Sequence, residues 1–411
     1  MEKLNLCDIS EVLSVEVIDK IFKLKTHSQD DAVKIEILRA GPAGEGLLGA
    51  VYRIYASGYQ HSTTLIAKGL VRDLLLRKTL QCAKFFAREI LFYSKVLPNL
   101  VEIQTSLGAK ERIQNYLPIC FYSYCDGKND YFVLEDLAER GFSSILHNHT
   151  DIEKAGILRA IAHFHATSIA MRLRNPEVFF QLVKQCPESY YTEDRRVWYC
   201  KYLKSALDID KLVIAEYENI DSIYYKKFMS VFNSDVYKQL MEITSTLSEH
   251  PVLNHGDCWS PNFMKSKDQV VVFDFQLIRF CSPATDLSSF LLCNLTGNRG
   301  KDYFVKSVDL YHNYLGYFLH DMNLDVDKIF PRHVLDEELR KYGKYGFYTN
   351  LSSIPLIASE KCDVMNTFEE IYRGKDVIPL EDLWKLTPIK TREHKLRLVN
   401  ALHVAVDLGL L

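Results

Sequence analysis

The stretch that decides the fold runs from His255 to Leu287: HGDCWSPNFM at 255–264, VVVFDFQLIRF at 270–280 and SPATDL at 282–287. One aspartate, Asp257, sits in a loop of turn formers; Asn262 follows five residues on, and Asp274 closes a β-branched run. Transfer of a phosphoryl group uses such an order, because Asp257 can accept or orient the proton of an acceptor hydroxyl while Asn262 and Asp274 hold the magnesium ions that bridge the ATP phosphates. Magnesium is a hard cation that takes one or two protein carboxylates and leaves its other positions to phosphate and water, so an Asn carbonyl with one Asp is a fitting donor set. Val270 to Phe273 reads as a short buried strand, which places Asp274 at a rigid strand end.

A nucleotide lobe is then expected upstream. Lys34 to Arg39 (KIEILR) alternates as a half-buried strand does, and Val51 to Tyr55 is rich in strand formers. Between them Gly44, Gly46 and Gly49 form G-x-G-x-x-G, a loop whose backbone can approach phosphate oxygens closely. The next strand-like run, Thr63 to Val71, carries one lysine, Lys68, placed to reach the α- and β-phosphates. Thr79 to Val96 reads as one amphipathic helix that ends before Pro98, with Cys82, Phe86, Ile90 and Tyr93 on its apolar face and Glu89 as the partner of Lys68. Glu102 and Glu111, beyond the proline, are weaker candidates.

These residues, with FFAREILFY (85–93), VLEDL (133–137), IAHFHATS (161–168), HGDCWSPNFM and FDFQLIRFCSPATDL (273–287), resemble the ecdysteroid kinase-like family, small-molecule kinases related to choline kinases and aminoglycoside phosphotransferases. The resemblance implies an α+β, two-lobed protein-kinase-like fold, with an antiparallel sheet lobe and a larger helical lobe. It implies Asp257 as catalytic base, Asn262 and Asp274 as metal ligands, and backbone groups of Glu135 to Leu137 at the adenine edge. Asp286 is expected to brace the catalytic loop and His255 to orient Asp257. Pro261 stands where the family has a polar residue.

The expected division is a nucleotide lobe over 1–135 and a catalytic and acceptor-binding lobe over 136–411, the latter opening on a helix capped by Asp151. A helical insertion at about 176–249 is rich in aromatics, among them Phe179, Tyr190, Tyr191, Tyr199 and Tyr202. Such rings can pack a core or line a pocket for a flat apolar acceptor. The expected substrate is therefore a lipophilic small-molecule alcohol, an ecdysteroid, another steroid or a xenobiotic. The alternatives are a choline- or aminoglycoside-type kinase, or a catalytically silent nucleotide-binding scaffold.

Composition sets the bounds. At 411 residues, 47% of them hydrophobic, the chain can bury the core of two lobes. A formal charge of −3 gives no basic field for nucleic acid. No apolar run is long enough for a membrane span, the start MEKLNLCDIS does not read as a secretory signal, and the ten cysteines are scattered, which together predict a cytoplasmic enzyme with reduced thiols. His163 and His165, two apart on a helix, point in different directions and predict packing rather than a shared metal. No obligate protein partner is evident.

Overall fold

The computed structural model describes residues 4–27, 33–40, 49–146, 149–297, 299–359, 371–372 and 374–411. Five antiparallel strands, β1 (Lys34–Arg39), β2 (Gly49–Ser57), β3 (Ser62–Leu70), β4 (Cys120–Tyr124) and β5 (Tyr131–Glu135), form one sheet in the order β1-β2-β3-β5-β4. Strand side chains alternate between the two faces of a sheet. Leu65 and Ala67 of β3, with Tyr131 and Val133 of β5, therefore pack on the outer face, and Leu70, Phe132 and Leu134 on the inner one. Lys68, opposite Phe132 in register, is placed inward by the same alternation, and a slip of one residue would turn it to the outer face.

The helices Leu6–Ile9 and Val15–Thr26 cover the outer face, burying Ile9, Ile18, Ile21 and Phe22 against the outer strand residues.

The inner face meets a helical column that differs from its reading in two ways. The helix bearing Glu89 starts at Cys82, not Thr79, because Gln81 adopts a left-handed conformation (φ 53°) that separates it from the preceding helix Leu74–Leu80. Pro98 does not end the column. A π-helical turn at Phe92–Val96 precedes it and the helix resumes as Leu97–Ser106, with the proline in its first turn, where a missing N–H costs least.

The larger lobe is mostly helical and opens on the helix Asp151–Arg174. Its cap is Thr150, whose side chain accepts from the Glu153 amide while Glu153 reaches back to the Thr150 amide; Asp151 is the first helical residue, favourable to the helix dipole but not the cap. The 176–249 segment folds as helices Pro176–Gln185, Glu193–Tyr217, Ile223–Phe232 and Val236–Ser245. Short strands carry the site: β6 (Ser143–Ser144), β8 (Phe263–Lys265) and β9 (Val270–Val272) in one ribbon, and β7 (Val252–Asn254) paired with β10 (Arg279–Cys281).

Two helices beneath the site approach so closely that a side chain cannot fit between them. A Cβ on Gly346, in the helix Lys344–Ala358, would lie 2.3 Å from the Ser288 carbonyl of the helix Pro283–Cys293. Gly346→Ala is expected to cost about 1–3 kcal/mol through overpacking, read as a lower melting temperature in calorimetry; unchanged melting would mean that the two helices are not in contact.

Candidate active site

The inner-face lysine meets a carboxylate from each side of the cleft. Lys68 Nζ lies 2.8 Å from Glu89 Oε2 and 2.9 Å from Asp274 Oδ1, with the Phe86 and Phe132 ring centroids each 5.7 Å away. Burial disfavours the ammonium, but Asp274 and Glu89 outweigh it and hold the Lys68 pKa above its usual value. Burial pushes Glu89 up to about 7, with Lys68 pulling against it and the neighbouring Asp274 carboxylate adding to the rise.

Asp274 occupies the left-handed region (φ 69°), which Asp tolerates better than most residues, and this turns the chain from β9 into the 3-10 turn Phe275–Leu277. Phe275 then stacks on Phe92 of the π-helical turn, centroids 3.7 Å apart, and lies 5.1 Å from the His255 ring. An aromatic column thus joins the Glu89 helix to the loop that carries Asp257.

That loop is held through its backbone. Asp286 accepts from the amides of His255 (2.7 Å) and Gly256 (3.0 Å), and its Oδ2 lies 3.3 Å from His165 Nε2. Burial opposes ionisation of Asp286, yet the His165 hydrogen bond and the neighbouring His165, His255 and Arg279 side chains hold its pKa below the ordinary value. Gly256 has φ 83°, and a Cβ there would meet the Leu277 carbonyl at 2.1 Å, so only glycine fits the turn.

His255 Nε2 lies 2.9 Å from the Phe273 carbonyl, which can only accept, so the proton is on Nε2 and Nδ1 accepts from the Asp257 amide at 3.3 Å. Asn262 donates from Nδ2 to both the carbonyl (3.0 Å) and the Oδ2 (2.9 Å) of Asp257. Burial pushes the Asp257 carboxyl up to about 6, with Asp274 adding to the rise and His255, Asn262 and Arg279 opposing it.

The structure therefore brings Lys68, Glu89 and Asp274 together, and separately Asp257 with Asn262. Glu135 and Leu137 lie where β5 runs into the 3-10 turn Leu137–Arg140; the Glu135 amide donates to the Ile119 carbonyl, and its side chain pairs with Arg140 at 3.2 Å. Gly44 and Gly46 lie outside the described residues. Gly49 begins β2, and a Cβ there would meet the Phe86 ring at 2.6 Å, so its lack of a side chain has a packing reason.

Glu102 is exposed on the helix after the π turn and Glu111 pairs with Arg159, so neither competes for Lys68. His163 stacks on Phe318 while His165 bonds to Tyr311 and Asp286, two directions from one helix. Of the aromatics in the 176–249 segment, Phe179, Tyr191, Tyr199 and Tyr202 are core residues.

Sequence reasoning gave no role to Arg88, whose Nη1 donates to the Ile278 carbonyl (3.1 Å) and Nη2 to the Pro187 carbonyl (2.9 Å), or to Arg279, 2% exposed beneath the loop that carries Asp257. Both lie in blocks that carry the resemblance, FFAREILFY and FDFQLIRFCSPATDL, and each puts a cation in an otherwise apolar run.

A sheet lobe set over a helical lobe, with a lysine, a glutamate and two aspartates at the seam, is the architecture of small-molecule kinases. The chain belongs to the ecdysteroid kinase-like family, whose model matches residues 43–324. Membership makes it a kinase that phosphorylates a hydroxyl group of a small molecule.

Among solved structures it is similar to a choline kinase from Cryptosporidium parvum Iowa II (9% identity, TM-score 0.44, covering 97% of this chain and 98% of that one). It is also similar to a Plasmodium vivax ethanolamine kinase (11%, 0.42, 98% and 94%) and to a putative fructosamine-3-kinase from Haemophilus somnus 129PT (12%, 0.38, 89% and 98%). No curated protein matches the chain significantly. Among the described residues no helix is long and apolar enough to cross a membrane.

Asp286→Ala is expected to leave two loop amides and His165 unmet, at roughly 1–3 kcal/mol for each buried unsatisfied group. Hydrogen exchange of the 253–258 peptide should accelerate and the melting temperature fall. Protection equal to that of the wild type would show that the loop is held by something else.

Proposed function

We propose that the protein transfers the γ-phosphoryl group of ATP to a hydroxyl of a lipophilic small molecule, with Asp257 as the base and the lobes divided near residue 135. The observation that carries this reading is the double hydrogen bond from Asn262 to Asp257. It fixes one carboxylate oxygen, leaves Oδ1 to the acceptor hydroxyl, and commits the Asn262 amide nitrogen so that its carbonyl oxygen remains as a ligand atom.

The chain's residues suit magnesium and a nucleotide. Asp274 Oδ1 is held by Lys68, and among the described residues its Oδ2 has only a long contact, 3.4 Å, from Gln276. An amide carbonyl and a carboxylate are the hard oxygen donors this ion accepts. Bound there, the ion supplies neutralisation of phosphate charge. Lys68, fixed by Glu89, is the cation for the nucleotide's phosphates, the backbone of Glu135 to Leu137 takes the adenine edge, and the loop through Gly44, Gly46 and Gly49 covers the phosphates. Asp257 then accepts the proton from the acceptor oxygen as that oxygen bonds to the γ-phosphorus and the bond from that phosphorus to the β–γ bridging oxygen breaks, ADP leaving with the electron pair.

For the acceptor, the family description and the 176–249 helices favour an ecdysteroid or similar apolar alcohol. With several of the rings used in the core, the wall near Asp257 narrows to residues such as Tyr190, half-buried, whose pKa burial pushes well up, with Tyr199, Tyr202 and lastly Asp257 adding to the rise. The one carboxylate beside it in sequence, Glu188, is engaged by three backbone amides and by Arg279. An ammonium group docked beside Tyr190 would not find Glu188 free as its counter-charge, which supports an uncharged body at that wall.

Asp257→Asn should lower turnover by roughly a hundredfold or more with Mg-ATP affinity little changed, whereas Asp274→Asn should abolish both turnover and Mg-dependent nucleotide binding in calorimetry. Near-normal turnover in either variant would remove the residue from its role. Because Asp257 acts as the carboxylate, kcat/KM should fall as pH drops below about 6, where the buried group takes up its proton. A panel of ecdysteroids, sterols, choline, ethanolamine and aminoglycosides decides the acceptor; phosphorylation of the last three alone would overturn the lipophilic reading.

A further inference from the structure

Beneath the catalytic loop lies a buried charge pair that the phosphotransfer reading leaves without a task. Arg279 projects from β10 and has three partners. Its Nη1 donates to the Gly256 carbonyl at 3.4 Å, the peptide unit that leads into Asp257, and its Nη2 donates to the Tyr345 hydroxyl at 2.8 Å. Its Nε faces Glu188 Oε2 at 3.5 Å, an ion pair without an aligned hydrogen bond, in which the two side chains are 2% and 6% exposed. The Tyr345 ring supports the guanidinium from 5.0 Å.

Glu188 belongs to the turn between the first two helices of the 176–249 segment, and its Oε1 accepts from the amides of Ser189 (2.7 Å), Tyr190 (2.5 Å) and Tyr191 (3.1 Å). The same turn is tied to the other lobe by Arg88, the residue before Glu89, through the Pro187 carbonyl. One carboxylate therefore shapes the acceptor-side turn with one oxygen and faces the arginine behind the base with the other.

A buried ion pair is seldom favourable for stability alone, because desolvation of both charges offsets their attraction. A planar guanidinium with donors in fixed directions can, however, hold several acceptors in one relative geometry, which a lysine cannot. We infer that Arg279 is a positioning residue that sets Asp257 through the Gly256 carbonyl, and that Glu188, from the acceptor-side turn, is the counter-charge that sets Arg279. The inference rests on Asp257 being the base.

A double-mutant cycle tests it: Arg279→Lys and Glu188→Gln, each made in the wild type and in Asp257→Asn, with ADP release measured using water or the best alcohol of the panel as acceptor. If Arg279 acts through Asp257, Arg279→Lys should lower kcat roughly tenfold or more in the wild type, with KM for ATP within about twofold, and cost less than about twofold in Asp257→Asn, because sites that act as a unit are non-additive. Glu188→Gln keeps an oxygen for the three amides and should give the same pattern with a smaller loss. Should Arg279→Lys fail to fold, Glu188→Gln and Tyr345→Phe carry the cycle, with melting curves confirming an intact fold. Equal losses in both backgrounds, or a raised KM with unchanged kcat, would overturn this inference and leave Asp257 as the base. Full turnover by Asp257→Asn alone would overturn both.

Discussion

A single buried ammonium, that of Lys68, sets the geometry of everything around it. Removing such a charge from water costs several kcal/mol unless opposite charges stand close by, and here they come from two directions, Glu89 on a helix of the sheet lobe and Asp274 at the end of a strand of the helical lobe. The arrangement is satisfied only when the sheet register, the rotation of the helix and the turn after β9 are all correct. The left-handed Asp274 and the Phe275 ring stacked on Phe92 are parts of that solution, since the turn that aims the carboxylate at the lysine also delivers the ring to the helix.

The catalytic loop is held by a different means. Asp286, His165 and the Phe273 carbonyl fix it through main-chain amides and one histidine tautomer, so the path of the loop is set by its backbone. Charge organises the Lys68 side of the cleft and backbone hydrogen bonds organise the loop that carries Asp257. The two meet at Asp257, whose raised pKa comes from burial first and from Asp274 next.

The sheet strands and the spacing of Asp257, Asn262 and Asp274 could be read in the sequence because alternation has a fixed period and phosphate chemistry permits few residue types. The Lys68–Glu89 pair followed from the order of elements, which put Glu89 on the helix after the lysine strand and Glu102 and Glu111 farther along the chain. Other features depended on contacts between segments far apart in the chain. The helices Leu6–Ile9 and Val15–Thr26 carry short amphipathic patterns that name no partner until the outer sheet face is seen. Pro98 gave the usual signal for a helix end, which the π-helical turn overrides. Thr150 and Asp151 are both good caps, and only the reciprocal bond with Glu153 separates them. Rings such as Tyr199 and Tyr202 look the same in sequence whether they face a ligand or the core, and Arg88 and Arg279 show their purpose only through carbonyls 99 and 23 residues away in the chain.

The apolar interior has no break at the boundary between the lobes. One continuous cluster runs from Leu70, Phe86 and Phe132 under the sheet, through Phe92 and Phe275, to Leu402 and Leu410 near the end of the chain, while a separate small cluster lies over the outer sheet face. Domains that can be cut apart meet through modest, rather polar interfaces, and this seam is the opposite. Either half expressed alone would present a broad greasy surface to water and aggregate, so the lobes are one folding unit, and recombination between relatives would succeed by exchanging surface helices rather than whole lobes.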